Sequence, residues 1–162
     1  MHWLTIHHPV IDVTLSCRLR TGKMVITAVE FGSKRSKTTQ KDVHSGCVKY
    51  GRMIRGFLNG SIRDLSSLPV DLSGFPAFSK KVLRAARSIP WGITISYARL
   101  AAMAGRPKAI RAAASVMRNN PFPLVIPCHR VIRSDGSVGG FMGKLKGKEV
   151  RLKYRILKKE MR

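Results

Sequence analysis

Acidic residues are scarce in this chain. Its 162 residues include 8 Asp and Glu against 31 Lys and Arg, which gives a formal net charge of +23 at pH 7. Between Leu72 and Ser134 no residue is acidic and eleven are Lys or Arg. A charge of this size indicates a polyanionic partner, with nucleic acid the first candidate. A basic surface that serves only solubility would have the same composition. The composition alone therefore does not distinguish solubility from nucleic-acid binding, and a sequence motif is needed.

Long apolar runs and cysteines are also few. No stretch approaches the ~20 apolar residues of a membrane-spanning helix. The N-terminus, MHWLTIHHPVIDV, lacks the basic start and long apolar run of a signal peptide. We therefore expect a cytoplasmic, intracellular protein with no membrane partner. In a reducing compartment the three cysteines are expected to be thiols and not a disulfide framework.

The N-terminal half has the pattern of a small α/β unit. Apolar residues alternate within Asp12–Gly32, which predicts two strands joined by a turn at Thr21–Lys23. From Lys41 to Leu58 the apolar spacing changes to three and four, which predicts a helix. These patterns place Cys17 on the apolar face of a strand and Cys47 on the apolar stripe of a helix. Core packing explains both cysteines.

A linker follows this half. The segment Ser66–Pro76, SSLPVDLSGFP, is rich in Ser, Pro and Gly. We divide the chain there into domains of residues 1–74 and 75–162. Beyond the linker the pattern is mostly helical, beginning with AFSKKVLRAARSI, which stops at Pro90–Gly92.

Two short helices in the C-terminal half predict a helix-turn-helix. Ser96 can cap a helix, YARLAAMA, that ends at Gly105. Pro107 suits the first turn of a second helix, PKAIRAAASVMR, which Asn119–Pro121 terminates. A plain helical hairpin has the same pattern, but the basic composition favours DNA binding.

The second of these helices has an unusual face for reading DNA. Around Arg111 nearly every residue from Ala109 to Ser115 is small, whereas base edges are normally read by long polar side chains. Small residues let a helix backbone approach DNA closely, and Arg111 is the single long side chain among them. This combination favours a protein that displaces a base over a sequence-reading repressor.

The segment NPFPLVIPCHRVIR carries a cysteine in a reactive setting. Three prolines stiffen the approach to Cys128. His129, Arg130 and Arg133 supply cations that favour a thiolate, and thus a lowered pKa of Cys128. Adjacent side chains diverge, so His129 would act as a base through a bridging water. Taken alone, a cysteine followed by a histidine is weak evidence of function.

The wider sequence around this cysteine is more specific. IPWGITISYARLAAMAGRPKAIRAAASVMRNNPFPLVIPCHRVI, followed by GSVGGFMG, resembles the O6-alkylguanine-DNA alkyltransferases, also called methylated-DNA–protein-cysteine methyltransferases. The resemblance covers roughly Phe75 to Glu160. It implies a two-domain α/β (α+β) fold, with a small ribonuclease-H-like N-terminal domain and a mostly helical C-terminal domain that carries the helix-turn-helix.

The resemblance also implies a DNA repair reaction. In this family the base is flipped out of duplex DNA, and a cysteine thiolate attacks the alkyl carbon on O6 of guanine and keeps the alkyl group. Each molecule therefore acts once. O4-alkylthymine is a further candidate substrate, no cofactor is implied, and a monomer is expected. Displacement at a saturated carbon requires a strong soft nucleophile, which a thiolate supplies.

Catalytic roles follow from the matching motifs. The resemblance implies that Cys128 is the nucleophile, His129 the water-mediated base and Glu160 the carboxylate that orients the base. Tyr97 would rotate the nucleotide and stabilise the leaving guanine, and Asn120 would hold the cysteine loop by hydrogen bonds. The last catalytic assignment is Lys153.

Contacts with DNA are implied in the same way. Arg111 would fill the space left by the flipped nucleotide. The other expected DNA contacts are Tyr97, Ala112, Ala114, Ser115, Arg118 and Arg130, and the expected base pocket consists of Met117, Val131, Val138, Gly139, Gly140, Phe141 and Met142.

Two features depart from the family pattern. The motif containing Lys153 and Glu160 lies further from the Gly-Gly-Phe loop than in the family, because KGKEV is inserted. The insertion makes Glu149 a competing carboxylate. In addition, Ala114 and Ser115 stand where the family often has glycine, so the helix would approach DNA less closely.

Some relatives hold a metal ion in the N-terminal domain. The possible ligands here are His2, His7, His8, Cys17, His44 and Cys47. No ligand spacing is recognisable among them, and both cysteines have core explanations. We predict no metal site.

Three other functions remain open. A non-catalytic alkyltransferase-like damage sensor would flip damaged bases without repair, but such relatives lack the cysteine that this chain has. A helix-turn-helix regulator would more often show a dimerisation segment and several long polar reading residues. A cysteine hydrolase would turn over and would need an oxyanion hole, which the sequence does not show.

Overall fold

The computed structural model describes residues 1–32 and 43–161 of a mixed α/β protein. The chain divides into two compact units, Met1–Asp71 and Leu72–Arg162, and the division lies inside the Ser66–Pro76 linker. Among the described residues, no helix is both long and apolar enough to cross a membrane.

The first unit is a three-stranded antiparallel sheet covered by one helix. The strands β1 (His2–Ile6), β2 (Val13–Arg20) and β3 (Lys23–Phe31) lie in the order β1-β2-β3. Thr21 and Gly22 both have positive φ, of 45° and 74°, which is the backbone of the tight hairpin turn that right-twisted strands favour. The predicted hairpin is thereby confirmed, and β1 is a third strand that the sequence pattern did not reveal.

The helix α1 (Ser45–Asn59) packs on all three strands. Of the predicted helix from Lys41 to Leu58, residues 41 and 42 lie outside the described part of the chain. The described helix begins after His44, whose imidazole accepts a hydrogen bond from the Gly46 amide at 3.1 Å and so caps the helix. Gly51 faces Leu4 of β1 so closely that a Cβ at this position would collide with its side chain.

In the second unit, most of the regular structure among the described residues is helical. It contains α2 (Ala77–Arg87), β4 (Ile95–Ser96), α3 (Tyr97–Met103), α4 (Ile110–Arg118), a single 3₁₀ turn (Cys128–Arg130), β5 (Val131–Ile132) and α5 (Lys148–Glu160). The helices α2, α3 and α4 pack on one another. Their core is built from side chains that are essentially inaccessible to solvent, namely Val82, Leu83, Ala86, Leu100, Ala101 and Ala113.

The helix-turn-helix is formed by α3 and α4. The Ser96 hydroxyl accepts a hydrogen bond from the Arg99 amide at 3.1 Å, which confirms the predicted cap. At the other end Gly105 (φ 79°) donates to Ala102 O, and Arg106 donates to Ala101 O, a pairing that satisfies the last carbonyls of α3.

The second helix begins later than predicted. The sequence placed its first turn at Pro107, but α4 starts at Ile110. The Ala109 amide instead bonds Arg106 O at 2.9 Å and closes a separate turn around Pro107. Because Pro107 lies inside this turn, its fixed φ stabilises the bend between the helices instead of the helix start.

Candidate active site

The loop that leads to Cys128 is held by a single side chain. Asn120 donates from Nδ2 to Ile126 O at 2.9 Å, and its Oδ1 accepts from the Phe122 amide at 3.0 Å. Phe122 and Ile126 are fully buried, so the amide satisfies backbone groups that solvent cannot reach. The loop is thus anchored at both ends, with Cys128 at the start of the 3₁₀ turn.

The short parallel pair of β4 and β5 brings the cysteine loop beside the helix-turn-helix. Ile95 pairs with Val131 and Ser96 with Ile132. Tyr97 directly follows β4 and Cys128 lies just before β5, so both side chains reach the same cavity. Cys128 is only 5% exposed and forms part of the cavity wall.

A buried carboxylate lies behind the cysteine loop. Glu160, in the last turn of α5, has Oε1 2.8 Å from His129 Nε2. The Arg130 guanidinium donates to the same carboxylate, from Nε to Oε2 at 2.8 Å and from Nη2 to Oε1 at 3.0 Å. The Gly92 amide donates to Oε2 at 3.3 Å. One carboxylate therefore fixes two neighbouring side chains of the Pro-Cys-His-Arg motif.

The position of Arg130 corrects a prediction. The sequence analysis assigned it to DNA, but its side chain is buried between Glu160 and the carbonyl of Ile89, which accepts from Nη1 at 2.6 Å. Its guanidinium also lies over the Trp91 ring, 5.9 Å from the ring centroid. A guanidinium whose donors are used in this way is not presented to a phosphate, so Arg130 is part of the interior.

The structure also separates the two candidate carboxylates. Glu149 lies in the first turn of α5 and Glu160 eleven residues later. At 1.5 Å per residue they are about 16 Å apart along the helix axis. Glu160 is the carboxylate that contacts His129.

Charge states in this cluster follow from burial and hydrogen bonding. Burial opposes the charge of Glu160, but hydrogen bonds from His129 and Arg130 lower the pKa of its carboxyl to about 2. Burial lowers the pKa of His129, against the hydrogen bond and charge of Glu160. A neutral imidazole that donates from Nε2 to a carboxylate keeps Nδ1 as its basic nitrogen.

The pKa of the Cys128 thiol is shifted in the direction opposite to the prediction. The cations in the sequence predicted a lowered pKa for Cys128, but burial raises this pKa in spite of a hydrogen bond from Asn120 and the charge of Lys153. The prediction was wrong because neighbours in sequence do not report desolvation. The resting state is a neutral thiol near a neutral imidazole.

Lys153 is a buried cation between β5 and the Gly-Gly-Phe loop. Its Nζ donates to Val131 O at 2.6 Å and to Gly140 O at 3.2 Å. Burial lowers the pKa of Lys153 to about 8, and the nearby charge of Arg133 acts in the same direction. The side chain ties β5 to the Gly-Gly-Phe loop and places positive charge close to the thiol.

The cavity that Cys128 faces has a volume of about 410 Å³. It is lined by Tyr97, Arg111, Ala114, Ser115, Met117, Arg118, Cys128, Arg133, Gly140, Phe141, Met142, Gly143, Lys144 and Leu145. The structure therefore brings together most of the predicted DNA and pocket residues. Ala112, Val131, Val138 and Gly139 are not part of its lining.

Part of the cavity wall was missed by the sequence analysis. A tight turn at Met142 and Gly143 (φ 49° and 78°) joins Phe141 to Lys144, which exchange hydrogen bonds of 2.8 and 2.9 Å. The turn brings Leu145, which is 75% exposed, to the cavity. The glycines of GGFMGKLKG are typical of a turn, but they do not indicate that the residues after the turn return to the site.

Comparisons with known proteins agree on one family. Residues 77–162 match the family model described as "6-O-methylguanine DNA methyltransferase, DNA binding domain". The methylated-DNA–protein-cysteine methyltransferase of Methanothermobacter thermautotrophicus is 46% identical over 107 residues, which are 66% of this chain and 57% of that protein. The human protein of the same name is 49% identical over 74 residues, 45% of this chain and 36% of that protein. The chain thus matches little more than half, or less, of the length of these relatives.

Solved structures extend the similarity along the chain. The crystal structure of Mycobacterium tuberculosis OGT in complex with DNA aligns with a TM-score of 0.78 and 29% identity, covering 99% of this chain and 93% of that chain. O6-methylguanine-DNA methyltransferase from Pyrococcus kodakaraensis aligns with a TM-score of 0.68 at 21% identity, covering 98% and 97%, which shows a shared fold.

Proposed function

Because the chain belongs to the 6-O-methylguanine DNA methyltransferase family, we propose that it repairs DNA by moving the alkyl group of O6-alkylguanine onto Cys128. The observation that carries the proposal is a cysteine in the wall of a base-sized cavity, beside a histidine that is bonded to a buried carboxylate. The proposed reaction is stoichiometric, since a thioether formed on Cys128 has no route back to a thiol in this site.

Binding would begin with the charge of the protein. Its net charge of +23 supplies sequence-independent affinity for the phosphate backbone of DNA. The exposed Arg111 and the small residues Ala114 and Ser115 of α4 line the cavity mouth. In this proposal α4 approaches the duplex, Arg111 takes the place of the flipped nucleotide, and the extruded base enters the cavity.

Nucleophile activation would follow from the resting charges. Cys128 starts as a thiol, so its proton has to leave as the carbon–sulfur bond forms. Nδ1 of the neutral His129 accepts this proton through a water molecule, and the carboxylate of Glu160 stabilises the imidazolium that results. The charge of Lys153 favours the thiolate during the transfer.

The leaving group is guanine. As the thiolate attacks the alkyl carbon, the bond from that carbon to O6 breaks and its electron pair stays on the base. Burial and the neighbouring Cys128 raise the pKa of Tyr97, so its hydroxyl stays protonated and can donate a hydrogen bond to the departing guanine. The proton taken from Cys128 is returned to the base, which leaves as neutral guanine.

We also propose roles for the two domains, an oligomeric state and a cellular location. We assign residues 1–74 to a ribonuclease-H-like scaffold and residues 75–162 to the alkyltransferase domain that contacts DNA. The protein would act as a monomer, inside the cell, in the compartment that holds its DNA substrate. Asn120 would keep the cysteine loop rigid, and Phe141 and Met142 would form the wall against which the base packs.

Mass spectrometry after reaction with a defined duplex tests the proposal. The protein is mixed with a duplex containing one O6-methylguanine, and the tryptic peptide from Asn119 to Arg130, which contains Cys128, is weighed. We expect this peptide to gain one methyl group, saturating at one per protein, and an unmodified duplex to give no gain. Tight binding without a mass change would exclude the transfer and make the protein a damage sensor.

A further inference from the structure

Two cysteines outside the proposed active site lie against each other. The Sγ atoms of Cys17 and Cys47 are 2.9 Å apart, and neither residue has solvent-accessible surface. Cys17 lies in β2 at a bulge, and Cys47 lies in the first turn of α1. The two residues are 30 positions apart in the chain, so tertiary packing and not local sequence brings the thiols together.

The separation of the two sulfur atoms indicates what chemistry they can undergo. In a tetrahedral zinc site, with zinc–sulfur bonds of about 2.3 Å, two thiolates stand about 3.7 Å apart. The thiols here are closer than that. A disulfide requires a sulfur–sulfur distance of about 2.05 Å, which small rotations of the two side chains can reach. Among the described residues, no group of three or more His, Cys, Asp or Glu is placed to hold a metal ion.

We propose that Cys17 and Cys47 are a redox-active pair that closes to an intramolecular disulfide when the protein meets a hydroperoxide. One thiolate attacks the peroxide oxygen, which gives a sulfenic acid and releases water from hydrogen peroxide. The second thiol then attacks the sulfenic sulfur, and a second water leaves as the sulfur–sulfur bond forms. Two thiols are oxidised and one peroxide is reduced, so electrons and protons balance.

The roles of the two sulfurs can be distinguished. The N-terminus of α1 favours a thiolate at Cys47, and the hydrogen bond shared with Cys17 lowers the pKa of Cys47. Cys47 is therefore the thiolate that attacks peroxide, and Cys17 is the thiol that resolves the sulfenic acid. Cys47 also lies in the first turn of its helix, where local opening admits a small oxidant most readily.

The disulfide would tether α1 to the middle strand of the sheet. It would close a segment that contains all of β3 and restrict the unfolded chain, which stabilises the folded unit. This inference does not rest on the function proposed above, because Cys128 takes no part in it. It concerns how the N-terminal unit responds to oxidising conditions.

Peptide mapping of the full-length protein tests the pair. The protein is treated with increasing hydrogen peroxide, denatured in N-ethylmaleimide and digested without reductant. We expect the peptide Met1–Arg18 linked to Asp42–Lys49, in a product that disappears on reduction. The Cys128 peptide, Asn119–Arg130, is separate and reports its own oxidation. Cys17→Ser and Cys47→Ser should each abolish the linked product.

A second readout covers the case in which a serine variant folds poorly. In a Trp91→Phe variant that keeps both cysteines, fluorescence of Trp3 in β1 reports unfolding of the N-terminal unit. We expect the urea midpoint to rise after peroxide treatment and to return to its starting value with reductant. Full maleimide labelling of Cys17 and Cys47 after peroxide treatment would overturn the proposal. So would a bound zinc ion in native mass spectra with both thiols protected.

Discussion

His129 Nε2 lies 2.8 Å from Glu160 Oε1, across 31 residues of sequence. The contact joins the turn that carries Cys128 to the last turn of α5. Arg130 shares the same carboxylate, so Glu160 stays ionised while the imidazole beside it stays neutral. The Cys128 thiol and the His129 imidazole are both neutral before the reaction. Proton transfer between them therefore creates charge only when the reaction begins, and neither group has to be buried in its charged form before that.

Glu160→Gln should slow alkyl transfer from O6-methylguanine duplex to Cys128 by about 100-fold or more, since the amide cannot stabilise the imidazolium. Single-turnover rate constants measure this effect. Glu149→Gln is the matched control, because it changes the same side chain on the same helix away from His129. Equal effects of the two substitutions would exclude an orienting role for Glu160.

Stability of the C-terminal unit should fall as the pH is lowered from about 6.5. The pKa of His129 is lowered in the folded state, so the unfolded chain binds more protons below the ordinary histidine value of 6.5 and stability is lost with decreasing pH. Glu160 acts in the same direction between its ordinary pKa of 4.5 and its folded-state pKa of about 2, and the loss of stability from Glu160 is on the order of 3 kcal/mol in total.

Urea unfolding monitored by Trp91 in a Trp3→Phe variant measures this pH dependence, because Trp91 lies against Arg130 in the same cluster. In the His129→Gln variant, the loss of stability between pH 6.5 and about 4.5 should disappear. A midpoint that is constant from pH 7 to 4 would contradict the assigned charge states.

Lys153→Met should raise the pKa of the Cys128 thiol further, because it removes a nearby positive charge. The pH profile of Cys128 alkylation by iodoacetamide should move to higher pH. Lys158→Met, on the exposed side of α5, should leave the profile in place. The Lys153 variant is also expected to lose about 1–3 kcal/mol of stability, since the carbonyls of Val131 and Gly140 lose their donor.

Arg111→Ala should slow transfer from duplex DNA by on the order of tenfold, because nothing then fills the space of the flipped base. Transfer from a single strand, where no base has to leave a stack, should change little. Arg55→Ala, an exposed arginine of α1, controls for the loss of one charge. Equal losses on single-stranded and duplex substrates would assign Arg111 to the cavity and not to flipping.

Cys128→Ser should abolish methyl transfer while retaining affinity for the methylated duplex. A hydroxyl is a far weaker nucleophile than a thiolate, and the substitution lies outside α4, the helix proposed to approach the duplex. Gel-shift titration and mass spectrometry on the same sample separate the two properties. Methyl transfer retained by this variant would place the acceptor on another residue.

Local signals in the sequence were sufficient for several elements. The hairpin turn at Thr21–Gly22, the cap at Ser96 and the helix end at Gly105 depend on the conformations of a few neighbouring residues. Such features can be read from the residue types, because each type favours a particular backbone geometry. The cavity residues Arg111, Ala114, Ser115, Met117 and Arg118 of α4 were predicted from the resemblance to the alkyltransferases, which also implied Ala112, a residue that does not line the cavity.

Other properties depended on contacts that no local pattern contains. Arg130 was predicted to contact DNA, but its guanidinium donates hydrogen bonds to Glu160, which lies 30 residues later in the chain. The raised pKa of Cys128 reflects its burial in the folded protein, which the neighbouring residues in the sequence do not indicate. Leu145 reaches the cavity only because the turn at Met142 reverses the chain. Each of these requires the tertiary arrangement, which sequence spacing alone does not supply.

The burial and protonation of Cys128 affect how long a protein molecule that has not yet met damaged DNA remains able to react. Oxidants and electrophiles in a cell consume thiolates first, and exposed thiolates fastest. In the proposed single-use reaction, no second nucleophile replaces a cysteine lost in this way. A neutral thiol that is only 5% exposed is a weaker nucleophile before DNA binds, but it also reacts more slowly with oxidants. Molecules that have not yet reacted therefore keep an intact Cys128 for longer.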